Sequence, residues 1–149
     1  MTVMTETNVT FEKSCGALVI RHDAQTGTDY ILMIRHRPGG YRSFPKGHVE
    51  PGETERETAV REVMEETSVR ITIIPDFRHV VCYTPAPAVE KEVVYFLART
   101  EQLDIRPRRG EIAQVEWIPL SQAERYLTHE NDKRVLSAAR NKLSALSGN

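Results

Sequence analysis

Between Glu50 and Glu66 the chain carries seven acidic residues. At the roughly 100° per residue of an α-helix, Glu62, Glu65 and Glu66 share one arc, and Glu55 projects onto it as well. Carboxylates at i, i+3 and i+4 repel one another by some tenths of a kcal/mol per pair, so stacking them has little structural benefit on its own. A hard divalent cation removes that repulsion, and an all-oxygen donor set suits Mg²⁺ or Mn²⁺ better than Zn²⁺. The plainer reading of the same residues is a solvated acidic face partnered by Arg56 and Arg61. Spacing alone does not separate the two.

Such an arc can act only if the rest of the helix is anchored. Glu53 to Thr67 lacks Gly and Pro and reads as a helix, with Ala59, Val60, Val63 and Thr67 on the neighbouring arc that faces a sheet. Cys15–Ile20 and Tyr30–Ile34 are short apolar runs joined by the turn formers DAQTGTD. Val69–Ile74, Phe77–Tyr83, Val93–Ala98 and Ile112–Ile118 add further extended segments. Arg35 to Arg42 reads as a basic loop, and Thr84 to Val89 (TPAPAV) as a surface loop, because its prolines remove backbone donors. Ser121 and Glu124 form a capping-box pattern that opens a short helix, and Asp132–Ala145 is amphipathic. Strands and helices alternate irregularly, which predicts an α/β fold with a mixed sheet flanked by helices.

The chain has 149 residues, 40% hydrophobic and 28% charged, with a formal charge of −1. That composition fits one soluble domain, residues 11–149, preceded by a flexible end at 1–10. It gives no reason to expect a membrane partner or bulk attraction to nucleic acid. Cys15 and Cys82 stand far apart in apolar stretches and read as buried thiols in a reducing, cytoplasmic setting. No stretch approaches the roughly 18 apolar residues of a membrane span. Oligomeric state is not expressed in the sequence.

The whole pattern is more specific than its carboxylates. Gly47, Glu53, Arg61-Glu62-Val63, Glu65-Glu66 and Val69 stand at the spacing of the Nudix box, so the chain resembles the Nudix hydrolases. One fixed position departs: Ser68 stands where the family has Gly, at a helix end that favours a left-handed backbone, at a cost of about 1 kcal/mol. The resemblance implies a Nudix-type α/β/α sandwich with a central mixed sheet. It also implies hydrolysis of a linked diphosphate, with Glu62, Glu65 and Glu66 as ligands of Mg²⁺, or Mn²⁺ as a substitute. Arg61 would orient that set by pairing with Glu53, and Gly47 and Gly52 would let the preceding loop turn tightly.

PKGHVEPGE at 45–53 resembles the asymmetric diadenosine tetraphosphate (Ap4A) hydrolases within that family, as do the Glu90–Ala98 segment and the spacing of Glu111 to Trp117. That likeness implies cleavage of a dinucleoside polyphosphate, preferably Ap4A to ATP and AMP. It makes Tyr83 a stacking partner for adenine and Tyr41 a second face; a half-buried strand-end tyrosine is the other reading of Tyr83. Lys46, His48 and Lys91 are candidates for the phosphate chain, with an edge-strand lysine and a loop-bonding histidine as alternatives for Lys91 and His48. Glu111 is a candidate outer metal ligand or general base, or a solvated turn residue, and His36 with Arg35 a candidate phosphate contact. His22, His79 and His129 carry no recognisable signal. Another linked diphosphate stays open as substrate: an RNA 5′ end, a diphosphoinositol polyphosphate or a nucleotide sugar. So does a module that senses a nucleotide without turning it over.

Overall fold

The computed structural model describes residues 2–3, 8–37, 39–107 and 112–148. In chain order the elements are β1 (Thr2–Val3), β2 (Val9–Asp23), β3 (Thr28–His36), β4 (Arg42–Ser43), β5 (Lys46–His48), α1 (Glu55–Thr67), β6 (Thr72–Ile73), β7 (His79–Ala86), β8 (Val89–Arg99), β9 (Ile112–Pro119), a 3-10 segment (Leu120–Tyr126) and α2 (Glu130–Leu146). The expected end at 1–10 and the candidate Glu111 fall wholly or largely outside the described residues.

β2 is the spine of the sheet. It runs parallel to β8 from Thr10 to Ile20 and antiparallel to β3 and to β5, so the sheet is mixed as expected. β7 extends it beyond β8, and β9 pairs with β3. Because successive strand side chains point to opposite faces, each central strand feeds two cores. Cys15, Ala17, Val19, Val94, Phe96 and Ala98 pack with Ala59 and Val63 of α1. Leu18, Ile20, Val93, Tyr95 and Leu97 pack with Val135, Leu136 and Ala139 of α2. The sheet is thus enclosed between the two helices.

Several boundaries differ from the sequence reading, each for a local reason. α1 starts at Glu55 rather than Glu53, because Thr54 is its N-cap: the Thr54 hydroxyl accepts from the Glu57 amide at 3.1 Å, and the Glu57 carboxylate accepts from the Thr54 amide at 2.9 Å. Val60 is exposed, while Glu62 and Glu66 are buried, so the helix is rotated from the arc that hydrophobicity assigns. TPAPAV is not a surface loop throughout: β7 continues to Ala86 across a bulge, and β8 begins at Val89. Only β6 of the Val69–Ile74 run is strand. Ser121 caps nothing, and its segment is a 3-10 turn. α2 begins at Glu130, two residues earlier than expected. Cys15 is buried but Cys82 is exposed, and both are free thiols.

Candidate active site

Three consecutive residues of β5 dock on α1. The Lys46 amide donates to Glu66 Oε1 at 2.8 Å, and the His48 carbonyl accepts from Arg61 Nη2 at 2.9 Å. Between them, a Cβ built on Gly47 would overlap the Glu62 carboxylate, so glycine is what lets the strand lie against that side chain. Gly16 of β2 does the same job one strand on, where a Cβ would meet the Pro45 carbonyl. These close approaches bury Glu62 to 8% and Glu66 to 6% exposure.

Arg61 organises the acidic cluster. Its guanidinium makes a two-pronged pair with Glu53, at 2.6 Å from Nε and 2.9 Å from Nη2. Nη1 donates to Glu62 at 2.8 Å and to Glu65 at 3.2 Å, and Glu50 lies 3.6 Å away. The expected Arg61–Glu53 pairing is present. Glu53 also accepts from the Thr58 hydroxyl at 2.8 Å and the Glu50 amide at 3.0 Å. Hydrogen bonding from Arg61, then from the Glu50 backbone, holds the Glu53 carboxyl down at about 2. The same hydrogen bonds from carboxylates raise the already high basicity of Arg61. Glu55 turns instead to Arg78 at 2.8 Å and Lys13 at 2.6 Å.

The donors are hard oxygens, which matches a hard divalent cation in kind. Glu62 and Glu66 stand one helical turn apart against β5, and Glu65 is held on the same side by Arg61. Among the described residues no three acidic, histidine or cysteine side chains converge on one point as they stand.

On the α2 side of the sheet lies a cavity of about 210 Å³ lined by His36, Tyr41, Lys46, Tyr83, Tyr95 and Asp132 among others. Four of the predicted substrate residues therefore come together. His36 and Tyr41 stack face to face with centroids 4.3 Å apart and 14° between planes, and His129 meets Tyr41 edge-on at 5.7 Å. Ser43 Oγ holds His36 Nε2 at 2.7 Å. Burial lowers the basicity of the Lys46 ammonium, and the charge of Lys91 adds to the effect, while Glu66, Asp132 and Glu62 oppose it. Burial raises the Tyr83 hydroxyl. Lys46 thus joins the two regions, its amide on Glu66 and its side chain in the cavity.

His48 and Lys91 do not line this cavity; they border a separate groove with Phe11, Val49 and Cys82. The basic loop is also less available than its sequence suggests. Arg42 pairs with Glu116 at 2.8 Å and lies over the Tyr126 ring, and Lys46 is half-buried. Sequence reasoning passed over Asp132, Asn131, His129, Ser43 and Tyr95. Only their position at the start of α2 or within strands marks them, and that position has an ordinary structural explanation in each case.

A family profile described as the NUDIX domain matches residues 12–139. The chain belongs to the NUDIX family. It is 31% identical over 83% of its length to the asymmetrical bis(5′-nucleosyl)-tetraphosphatase of Sus scrofa, and covers 90% of that protein. It is 32% identical over 86% of its length to MutT4 of Mycobacterium tuberculosis, but spans only 54% of that longer relative. Its fold superimposes on the crystal structure of a C. elegans Ap4A hydrolase binary complex with a TM-score of 0.78 and 27% identity, covering 93% of this chain and 99% of that one. The NUDIX assignment and the mixed sheet between helices agree with the expected fold. Nudix hydrolases generally use divalent metal ions. Among the described residues no helix is long and apolar enough to cross a membrane.

Proposed function

We propose that this Nudix hydrolase cleaves dinucleoside polyphosphates, preferably Ap4A to ATP and AMP, in a cytoplasmic setting. The observation that carries the reading is the union, through Lys46, of an aromatic cavity with a carboxylate helix. A nucleotide needs both: a flat apolar slot for its base and a hard-cation site for its phosphates. In this reading Glu62, Glu65 and Glu66 hold Mg²⁺, for which Mn²⁺ can substitute, with Glu111 as a further ligand or base. When bound, the cation neutralises the polyphosphate and makes water a competent nucleophile at neutral pH. Arg61 and Glu53 keep the carboxylates oriented. Tyr83 and the His36–Tyr41 pair receive the base, and Lys46 meets the adjoining phosphate. His48 and Lys91, in the second groove, are assigned to the remainder of the chain of phosphates.

An RNA 5′ end is the weaker reading, because Arg42 of the basic loop is occupied by Glu116. The test is incubation of the full chain with Ap4A and Mg²⁺ followed by chromatographic identification of products. ATP and AMP in equal amounts are expected. Turnover confined to RNA, inositol or nucleotide-sugar substrates would reassign the substrate, and no turnover of any linked diphosphate would remove the enzymatic reading.

A further inference from the structure

The cavity against α2, at about 210 Å³, is too small for a whole dinucleotide, since pockets for drug-sized ligands run to roughly 300–1,000 Å³. A second groove, of about 810 Å³, lies on the other face of the sheet. Strand alternation sets Phe11 and Lys13 of β2, with Glu90 and Glu92 of β8, on the face that Cys15 and Val94 turn to α1. Cys82 of β7 pairs with Glu92 and joins them, and Val49 enters where its amide donates to the Lys13 carbonyl at 3.2 Å. The groove adjoins the carboxylate cluster: His48 lines it, and the His48 carbonyl is held by Arg61 at 2.9 Å.

The lining of the groove narrows what it can hold. Phe11 offers an aromatic ring that is 46% exposed, beside the half-buried Val49. The charge is acidic on balance, with Glu12, Glu90 and Glu92 against Lys13 and Lys91, and Lys13 is committed to Glu55 at 2.6 Å. Carboxylates repel a terminal phosphate but accept from hydroxyls, as Glu90 does from Thr84 at 3.1 Å. We propose that this groove is the subsite for the second nucleoside of a dinucleoside polyphosphate, its base stacked on Phe11 and its ribose hydroxyls donating to the wall formed by Glu90 and Glu92. The order along the substrate follows the sheet. One base sits in the cavity on the α2 face, the phosphates pass Lys46 to the carboxylates on the α1 face, and the far nucleoside emerges on that same face beside His48. The inference rests on the reading of the chain as a dinucleoside polyphosphate hydrolase, and it gives the site a means to prefer a substrate with two nucleosides over one that ends in phosphate.

Cys82 makes occupancy of the groove readable, because it is exposed whereas Cys15 is buried. Alkylation of Cys82 by iodoacetamide is followed in the metal-free full chain with saturating Ap4A or with adenosine 5′-tetraphosphate, which lacks the second nucleoside. Ap4A should slow the reaction about tenfold, since only the unoccupied fraction reacts, and adenosine tetraphosphate should leave the rate unchanged. In steady-state assays with Mg²⁺, Phe11→Ala should raise KM for Ap4A about fivefold or more and leave the inhibition constant of adenosine tetraphosphate as it was. A merely structural role for Phe11 would shift both constants together. Equal protection of Cys82 by the two nucleotides, protection by neither, or constants that move together or not at all would each overturn the inference. Phe11→Leu, which keeps apolar bulk without the ring, replaces the alanine variant should that one not fold, and the protection measured in the wild type needs no variant. Ap4A turnover without selective protection defeats the subsite only, and selective protection without turnover defeats the hydrolytic reading only.

Discussion

The two ends of the site handle charge in opposite ways. Around α1 the acids are held by protein partners: Arg61 alone donates to Glu53, Glu62 and Glu65, and β5 supplies an amide to Glu66. In the cavity against α2, the buried Asp132 and the half-buried Lys46 stand at a distance from one another, among rings. The first arrangement holds its shape before any ligand arrives, as preorganised sites must. The second leaves hydrogen-bonding capacity to be met by what enters. Loss of a side chain should therefore show as lost turnover on one side and as lost affinity or selectivity on the other.

The sharpest way to break this contrast is Glu66→Gln. The amide oxygen still accepts from Lys46, so the melting temperature should hold while kcat for Ap4A falls by about a hundredfold. Near-normal kcat would contradict the assigned role. Gly47→Ala forces the Glu62 carboxylate from β5 and should lower kcat about tenfold, with a smaller change in KM. Both parameters come from steady-state assays. On the other side, Tyr83→Ala should raise KM roughly tenfold and change kcat less, as removal of a stacking surface requires. An unchanged KM would reassign Tyr83 to packing.

Two smaller effects concern stability. Arg61 holds the Glu53 carboxyl, and Arg78 the Glu55 carboxyl, near 2 instead of the usual 4.5. Carboxyls with depressed values stabilise the fold above the unfolded value and lose that contribution as pH falls. The urea midpoint should thus decline from about pH 4.5 toward pH 2, and less so in Arg78→Met. A midpoint constant over that range would refute the linkage. Ser68 closes α1 at φ 64, so Ser68→Gly should add up to about 1 kcal/mol and raise Tm by a few degrees. A lowered Tm would mean that the hydroxyl contributes more than the backbone loses.

What the sequence discloses follows from which forces are local. The box is readable because each fixed type answers a nearby demand: Gly47 for close approach, Glu53 for Arg61, carboxylates for one arc. Strand β8 is readable because apolar runs signal double-sided burial. The rotation of α1 is not, since periodicity treats glutamate as solvent-facing, whereas Glu62 and Glu66 are sealed by a strand from elsewhere in the chain. The β7–β8 hairpin escapes because Pro85 sits where the bulge interrupts pairing, so its missing donor costs nothing there. Asp132 escapes because an acid in the first turn of a helix is unremarkable until the opposite wall of the cavity is known.

The double attachment of Lys46 bears on how such a chain can be altered. Its side chain faces one region and its amide serves the other, so exchanging the side chain leaves the carboxylate helix docked. Its neighbours lack that freedom: the Pro45 carbonyl presses on Gly16, and Gly47 on Glu62. The short strand therefore works as a splice between the aromatic cavity and the carboxylate helix. The side chain at position 46 can be varied, while the residues on either side of it keep strand and helix in register.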